Sequence, residues 1–216
     1  MCPSPFTLLL AFSLPNGILN IYVKHTIRVI IRHIMLPRGF NQHGLLPPKD
    51  YEVSFSQLRK SLLVIGPTDK PSTWDVEWRG HLVDNLEIMV KQLWKVGIKN
   101  IYVNGSFVED KDHPGDIDGY FECKWIEIAS GQLERELNLL DPNKVWTWDP
   151  KSRRVDSASG TRQLPMWHTY HIELYPHYHQ LSGITDKFGN ELMFPGAFRQ
   201  SLRENLPKGV VKIKNE

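Results

Sequence analysis

Asp116 and Asp118 carry the most pointed chemistry in this sequence. They lie two residues apart at the head of Asp-Ile-Asp-Gly-Tyr-Phe, a run that reads as a β-strand. Side chains at positions i and i+2 of a strand point to the same face, so both carboxylates can reach one metal centre. Upstream, Gly105 and Ser106 close another strand-like run, residues 98–103. A backbone without side-chain bulk lets N–H groups approach an anion. A phosphate cradle facing two metal-binding acids is the outline of nucleotide chemistry. A two-metal phosphoryl site needs several converging carboxylates. Glu173, in the middle of His-Ile-Glu-Leu-Tyr, is the best third candidate. An acid on an otherwise buried strand needs a partner, and a metal ion is one. The competing reading is a surface acid on the wet face of an edge strand.

These residues must be positioned by a chain of 216 residues, 41% hydrophobic and 23% charged, which suffices for one domain with an adequate core. A net charge of +2 demands neither nucleic acid nor an anionic membrane as partner. Cys2 and Cys123 form no disulfide framework, so a reducing compartment and a cytoplasmic location are expected. The clearest helix is predicted over 73–96. Thr73 can cap it, and Trp78, Leu82, Leu86, Met89, Val90, Leu93 and Val96 recur at three and four residues. Gly97 suits the position just past its end, and the strand 98–103 follows at once. Ser54 with Gln57 three residues later marks a shorter helix by a capping box. Further along, a helix is expected over 125–140, weakened near its start by Gly131. A short strand is expected at 145–148, a polar loop or hairpin at 149–163 and an alternating strand over 167–179. A loop at 182–190, a short helix at 195–204 and a closing strand or turn at 208–213 complete the reading. The whole predicts an α+β fold, a mixed sheet carrying the acids with helices packed mainly on one face.

Residues 1–34 read differently from the rest. Pro3, Pro5, Pro15 and Gly17 interrupt the uncharged start, so neither a spanning helix nor stable membrane insertion is expected. No positive charge precedes the apolar run, as a secretory signal requires. Lys24, Arg28 and Arg32 lie four apart beside a set of isoleucines, an amphipathic basic pattern. Two readings stand: an arm lying on a membrane surface, or a non-native extension before a domain of 35–216 that starts at Met35.

Gly105-Ser106, nine residues, then Asp116-Ile-Asp118 resembles the hallmark of the DNA polymerase beta-like nucleotidyltransferase superfamily. In that pattern a Gly-Ser ends one strand, an Asp-x-Asp sits on the next, and a third acid lies on a later strand. Phe40-Asn-Gln-His-Gly-Leu-Leu-Pro-Pro-Lys-Asp-Tyr-Glu52, Gly105-Ser-Phe-Val108 and Pro114-Gly-Asp-Ile-Asp118 together resemble a small, uncharacterised bacterial branch of it. Lys208-Gly-Val-Val-Lys-Ile213 is similar to how such proteins end. The resemblance implies a nucleotidyltransferase-like sheet. Gly105 and Ser106 would hold a nucleoside triphosphate. Asp116 and Asp118 would bind two magnesium ions, and Glu173 the metal that activates the acceptor. The reaction would move a nucleoside monophosphate to a hydroxyl on a small molecule, an RNA or a protein. One departure stands out. Active small transferases commonly follow Gly-Ser with an Arg-bearing helical turn, whereas Phe107-Val-Glu-Asp-Lys-Asp follows here. Glu109, Asp110 and Asp112 repel a triphosphate unless a metal or Lys111 offsets them. The alternative is a catalytically silent module on the same fold, with a protein partner of the defence or toxin–antitoxin kind.

Other constellations compete. His168, His171, His177 and His179 are a candidate zinc cluster, though their spacing suits surface or aromatic-packed histidines better. Asp118 with Glu122-Cys-Lys124 outlines a metal-dependent nuclease, but the spacing is short and Gly105-Ser106 is left without a role. Cys123 has no base beside it and reads as a buried strand cysteine. Lys151, Arg153 and Arg154 either steer an anionic acceptor or form solvated surface.

Overall fold

The computed structural model describes residues 36–68, 73–186, 188–201, 203 and 205–215; the expectations for residues 1–34 lie outside these. The chain enters through β1 (Asp50–Val53), whose alternate residues Tyr51 and Val53 are buried. Two short helices follow, α1 (Phe55–Arg59) and α2 (Leu62–Ile65). The capping box at the start of α1 is complete: Gln57 N–H donates to Ser54 Oγ at 3.3 Å and Ser54 N–H donates to Gln57 Oε1 at 3.0 Å. Next comes α3 (Val76–Lys95), the long helix. Its N-cap is Asp75, whose carboxylate accepts the Trp78 N–H, so the helix starts after the Thr73 that the sequence offered. Leu82, Val83, Leu86, Met89, Val90 and Leu93 are all buried in one stripe, each contributing roughly 1.5–3 kcal/mol by leaving water. At its end Gly97 takes φ +88°, Ile98 N–H bonds Leu93 O and Gly97 N–H bonds Trp94 O. Those two bonds make the Schellman stop that turns the chain into the sheet.

The strands β2 (Ile101–Asn104) and β3 (Ile117–Glu122) pair antiparallel and are joined through a 3-10 turn, Gly105–Val108. The expected helix over 125–140 is two helices, α4 (Trp125–Ala129) and α5 (Gln132–Leu140), separated at Ser130 and Gly131. Residues 145–148 form no strand: Trp146 is buried and its indole N–H is taken by Gln92 Oε1 at 2.6 Å, a side-chain tether in place of a ladder. A hairpin, β4 (Arg154–Val155) with β5 (Arg162–Gln163), fills the polar stretch. The single strand expected over 167–179 divides in two. Pro165, at the first helical position, starts α6 (Pro165–Tyr170), and only after the left-handed His171 does β6 (Ile172–His177) begin. β7 (Leu181–Thr185) and β8 (Glu191–Met193) form a second hairpin where a loop was expected, and α7 (Phe194–Phe198) follows. β9 (Val210–Ile213) closes the fold.

The main sheet has the order β1-β9-β2-β3-β6. β1 and β9 are parallel, β9–β2 and β2–β3 antiparallel, and β3–β6 parallel. The fold is therefore α+β with a mixed sheet. On one face Ile101, Val103, Ile117, Phe121, Ile172 and Leu174 meet α3 in the main core. On the other, Tyr120 and Tyr175 meet Phe194 and Phe198 of α7. β6 is an edge strand, and Pro176 is tolerated there because its missing N–H faces away from β3. The outward carbonyls are covered by side chains: Trp148 donates to Leu174 O at 2.8 Å and Gln180 to Pro176 O at 2.7 Å. Among the described residues no helix is long and apolar enough to cross a membrane.

Candidate functional site

The parallel register of β3 and β6 sets Asp118 directly beside Glu173. Asp116, one residue before β3, shares their face by the two-residue period of a strand. The sheet thus brings all three acids together, at the end where β2 gives way to the Gly105–Val108 turn. Gly105 is held at φ +74°, and a Cβ there would fall on the Asp118 carboxylate. Only glycine lets the turn lie so close over the acid.

Within the cluster, the charges of Asp116 and Asp118 are poorly met by their neighbours. Burial, then Asp116 and Glu173, push the Asp118 carboxyl up to about 7, while Lys208 pulls the other way. Asp116 is also raised, by burial first and then by Glu173, against the Trp167 indole, Lys111 and His171. That indole donates to Asp116 Oδ2 at 2.8 Å. Glu173 is 5% exposed and sits in a bracket of donors. Leu164 N–H reaches its Oε1 at 2.8 Å, Arg153 reaches the same oxygen at 3.4 Å, and the Tyr175 hydroxyl bonds Oε2. Among the described residues no three His, Cys, Asp or Glu side chains stand in an arrangement that holds a metal. The donor chemistry of Asp116 and Asp118 nonetheless fits a hard divalent cation: oxygen ligands on one face, with a carboxyl that burial and its neighbours keep from ionising freely.

The loop from Ser106 to Asp116 is strapped to α3. Arg79 is fully buried, and its guanidinium donates to four carbonyls: Leu63 at 2.6 Å, Phe107 at 2.9 Å, Glu109 at 3.4 Å and Lys111 at 2.5 Å. Burial pulls the Arg79 pKa down to about 9, against the charges of Asp110, Asp112 and Asp75. Trp78 donates to Pro114 O at 2.6 Å, and His113 stacks on its ring while pairing with Asp75. Of the three acids expected to obstruct the site, Glu109 is turned inward, while Asp110 and Asp112 are half-buried. Glu109 is buried, bonded to Lys208 Nζ at 2.6 Å and Arg203 Nη2 at 3.0 Å. Lys208 Nζ also donates to Gly105 O at 3.2 Å, tying the glycine turn to the segment before β9.

Of the residues expected to hold phosphate, Gly105 has its N–H taken by Asn104 Oδ1 at 2.6 Å. Ser106 is half-buried at the start of the turn, and Lys111 is exposed, near enough to lower the Asp116 pKa. The histidines do not assemble as a zinc group. His171 lies against Trp78 and Trp167, and His177 is buried against Phe194. Cys123 is half-buried, and burial pushes its thiol up to about 12, which suits a packed strand residue and not a nucleophile. Sequence reasoning missed Arg79, Trp167 and Lys208. Each acts over a long separation, and the one local signal was an arginine inside an apolar helical stripe.

Residues 38–214 match a family model described as "Family of unknown function (DUF6932)". No curated protein and no solved structure matches the chain.

Proposed function

We propose that this chain, which belongs to the DUF6932 family, is a metal-dependent nucleotidyltransferase that moves a nucleoside monophosphate from a triphosphate to a hydroxyl acceptor. One observation carries the reading: Asp118 and Glu173 are register partners on adjacent strands, with Asp116 on the same face and the Gly105 turn packed on Asp118. Asp116 and Asp118, both raised by burial and by the acids beside them, ask for an outside cation. Asp116 and Asp118 would hold magnesium, which supplies charge stabilisation for an in-line phosphoryl displacement. Ser106, in the Gly105–Val108 turn, would offer its hydroxyl and N–H to the phosphates, and Lys111 would add positive charge at the rim. Trp167 orients the Asp116 carboxylate through its indole N–H. Lys208 and Arg203 hold Glu109 out of the way of an incoming anion.

A silent interaction module on the same fold is the second reading, and the bracket around Glu173 favours it, because a third acid held by three donors is not offering ligands. Incubation with each of the four labelled triphosphates and magnesium separates the two. Label transferred to protein, RNA or a small acceptor by wild type and lost in Asp116→Ala supports the transferase. Transfer equal in both proteins removes the assigned site, and no triphosphate binding at all leaves the silent module standing.

A further inference from the structure

Arg153 reaches the acid cluster from outside the sheet. It stands just before β4, on a hairpin whose strands are two residues each and largely exposed. Its Nη1 donates to Glu173 Oε1 and its Nη2 to Tyr175 Oη at 2.9 Å. The three donors around Glu173 differ in how firmly they are set. Leu164 N–H is buried backbone at the entry to α6, and Tyr175 is on the same strand as Glu173. Arg153 alone comes from a light surface element, and its 3.4 Å contact is long for a charged hydrogen bond. The Arg153 side chain is 28% exposed against 6% for Glu173, so the pair opens toward solvent on the arginine side.

We propose that Arg153 is an exchangeable counter-ion. It neutralises Glu173 in the free protein, competes with a divalent cation for that carboxylate, and turns to a phosphate oxygen when nucleotide is bound. The inference rests on the transferase reading and names a residue that reading does not assign. A guanidinium suits both partners, because its planar fork matches carboxylate and phosphate alike. The exchange keeps charge balanced: Glu173 trades one cationic partner for another, and Arg153 trades one anion for another. No buried charge is stranded at either end, which is the condition for a partly buried ion pair to part cheaply.

The test is Mn2+ binding to the full chain without nucleotide, read by electron paramagnetic resonance. It compares wild type, Arg153→Gln, Arg153→Lys, Glu173→Gln, Asp118→Asn and the double variant R153Q/E173Q. Arg153→Gln is expected to bind Mn2+ about tenfold more tightly than wild type, the order of one charge-assisted hydrogen bond released. The gain should vanish in the Glu173→Gln background, since a double-mutant cycle isolates the pair. With Mn2+ saturating, Arg153→Gln should bind ATP about tenfold more weakly, again one such bond. If Arg153→Gln does not fold, Arg153→Lys carries the test with a smaller change in the same two directions. Equal Mn2+ affinity in wild type and the Arg153 variants, with binding lost in Asp118→Asn, overturns the counter-ion and leaves the metal site intact. A gain that persists without Glu173 overturns it as a general charge effect. No Mn2+ binding to any of the proteins overturns both the counter-ion and the transferase reading.

Discussion

Replacing Asp118 by Asn keeps the shape and removes the charge, and it should make the metal-free protein more stable while abolishing any transfer. The Asp118 carboxyl is raised from 3.8 to about 7 by burial, Asp116 and Glu173. Between those two values the native protein holds a proton that the unfolded chain has released. Stability is therefore greatest below the ordinary carboxylate pKa and declines as pH rises through the folded one. A displacement of about three units, at about 1.36 kcal/mol each, places on the order of 4 kcal/mol against the native state at pH 8. Asparagine has no charge to desolvate and recovers part of that. The recovery is reduced because Lys208 loses a negative neighbour. Urea unfolding in the presence of a chelator, at pH 5 and pH 8, measures it. Wild type should lose stability between the two values, and Asp118→Asn should lose markedly less and be the more stable at pH 8. Adding magnesium should restore wild type at pH 8 and do little for the variant. A variant with the wild-type pH dependence, or one less stable than wild type at pH 8, would refute the reasoning.

Four other substitutions probe the supports of the site. Arg79→Leu leaves four carbonyls without their buried donor and should cost about 3–5 kcal/mol in denaturant unfolding, as other losses of buried charged groups do. Lys208→Met removes the buried partner of Glu109 and leaves that acid to the exposed Arg203. It should cost several times more than Arg203→Ala, because Lys208 is 5% exposed and Arg203 is 65% exposed; equal effects in urea unfolding would show that the buried pair is not the anchor. Gly105→Ala forces a side chain into a left-handed position over Asp118. It should lower stability by about 1–3 kcal/mol and weaken Mn2+ binding measured by the same resonance assay.

The acids were legible because strand periodicity is a local rule. Asp116 and Asp118 needed only the two-residue repeat, and Glu173 needed only to sit on a strand. Their meeting depended on a parallel pairing across more than fifty residues, which no local pattern contains. The same limit explains the errors. Trp167 to His179 alternates well enough to read as one strand, yet Pro165 fixes a helical first turn and the left-handed His171 breaks the run. Residues 145–148 have strand composition, but Trp146 finds its hydrogen bond in Gln92 and Asn138 instead of a neighbouring strand. The acidic loop reads as repulsive only while its partners are unknown. Lys208 and Arg203, nearly a hundred residues later, turn Glu109 into an internal brace.

The placement of β9 has a consequence for how the protein is made. Among the strands of the main sheet it leaves the ribosome last, yet it lies second from the edge, between β1 and β2. Until Val210–Ile213 emerges, β1 has no neighbour and the β2–β3–β6 ribbon keeps an open border where β9 belongs. Lys208 travels just ahead of that strand, so the Gly105 turn also lacks its tether during this interval. The nascent chain can therefore hold all three acids already synthesised and still have no assembled site. Late closure of this kind exposes unpaired strand borders for longest and makes the nascent chain, more than the finished one, the form open to mispairing.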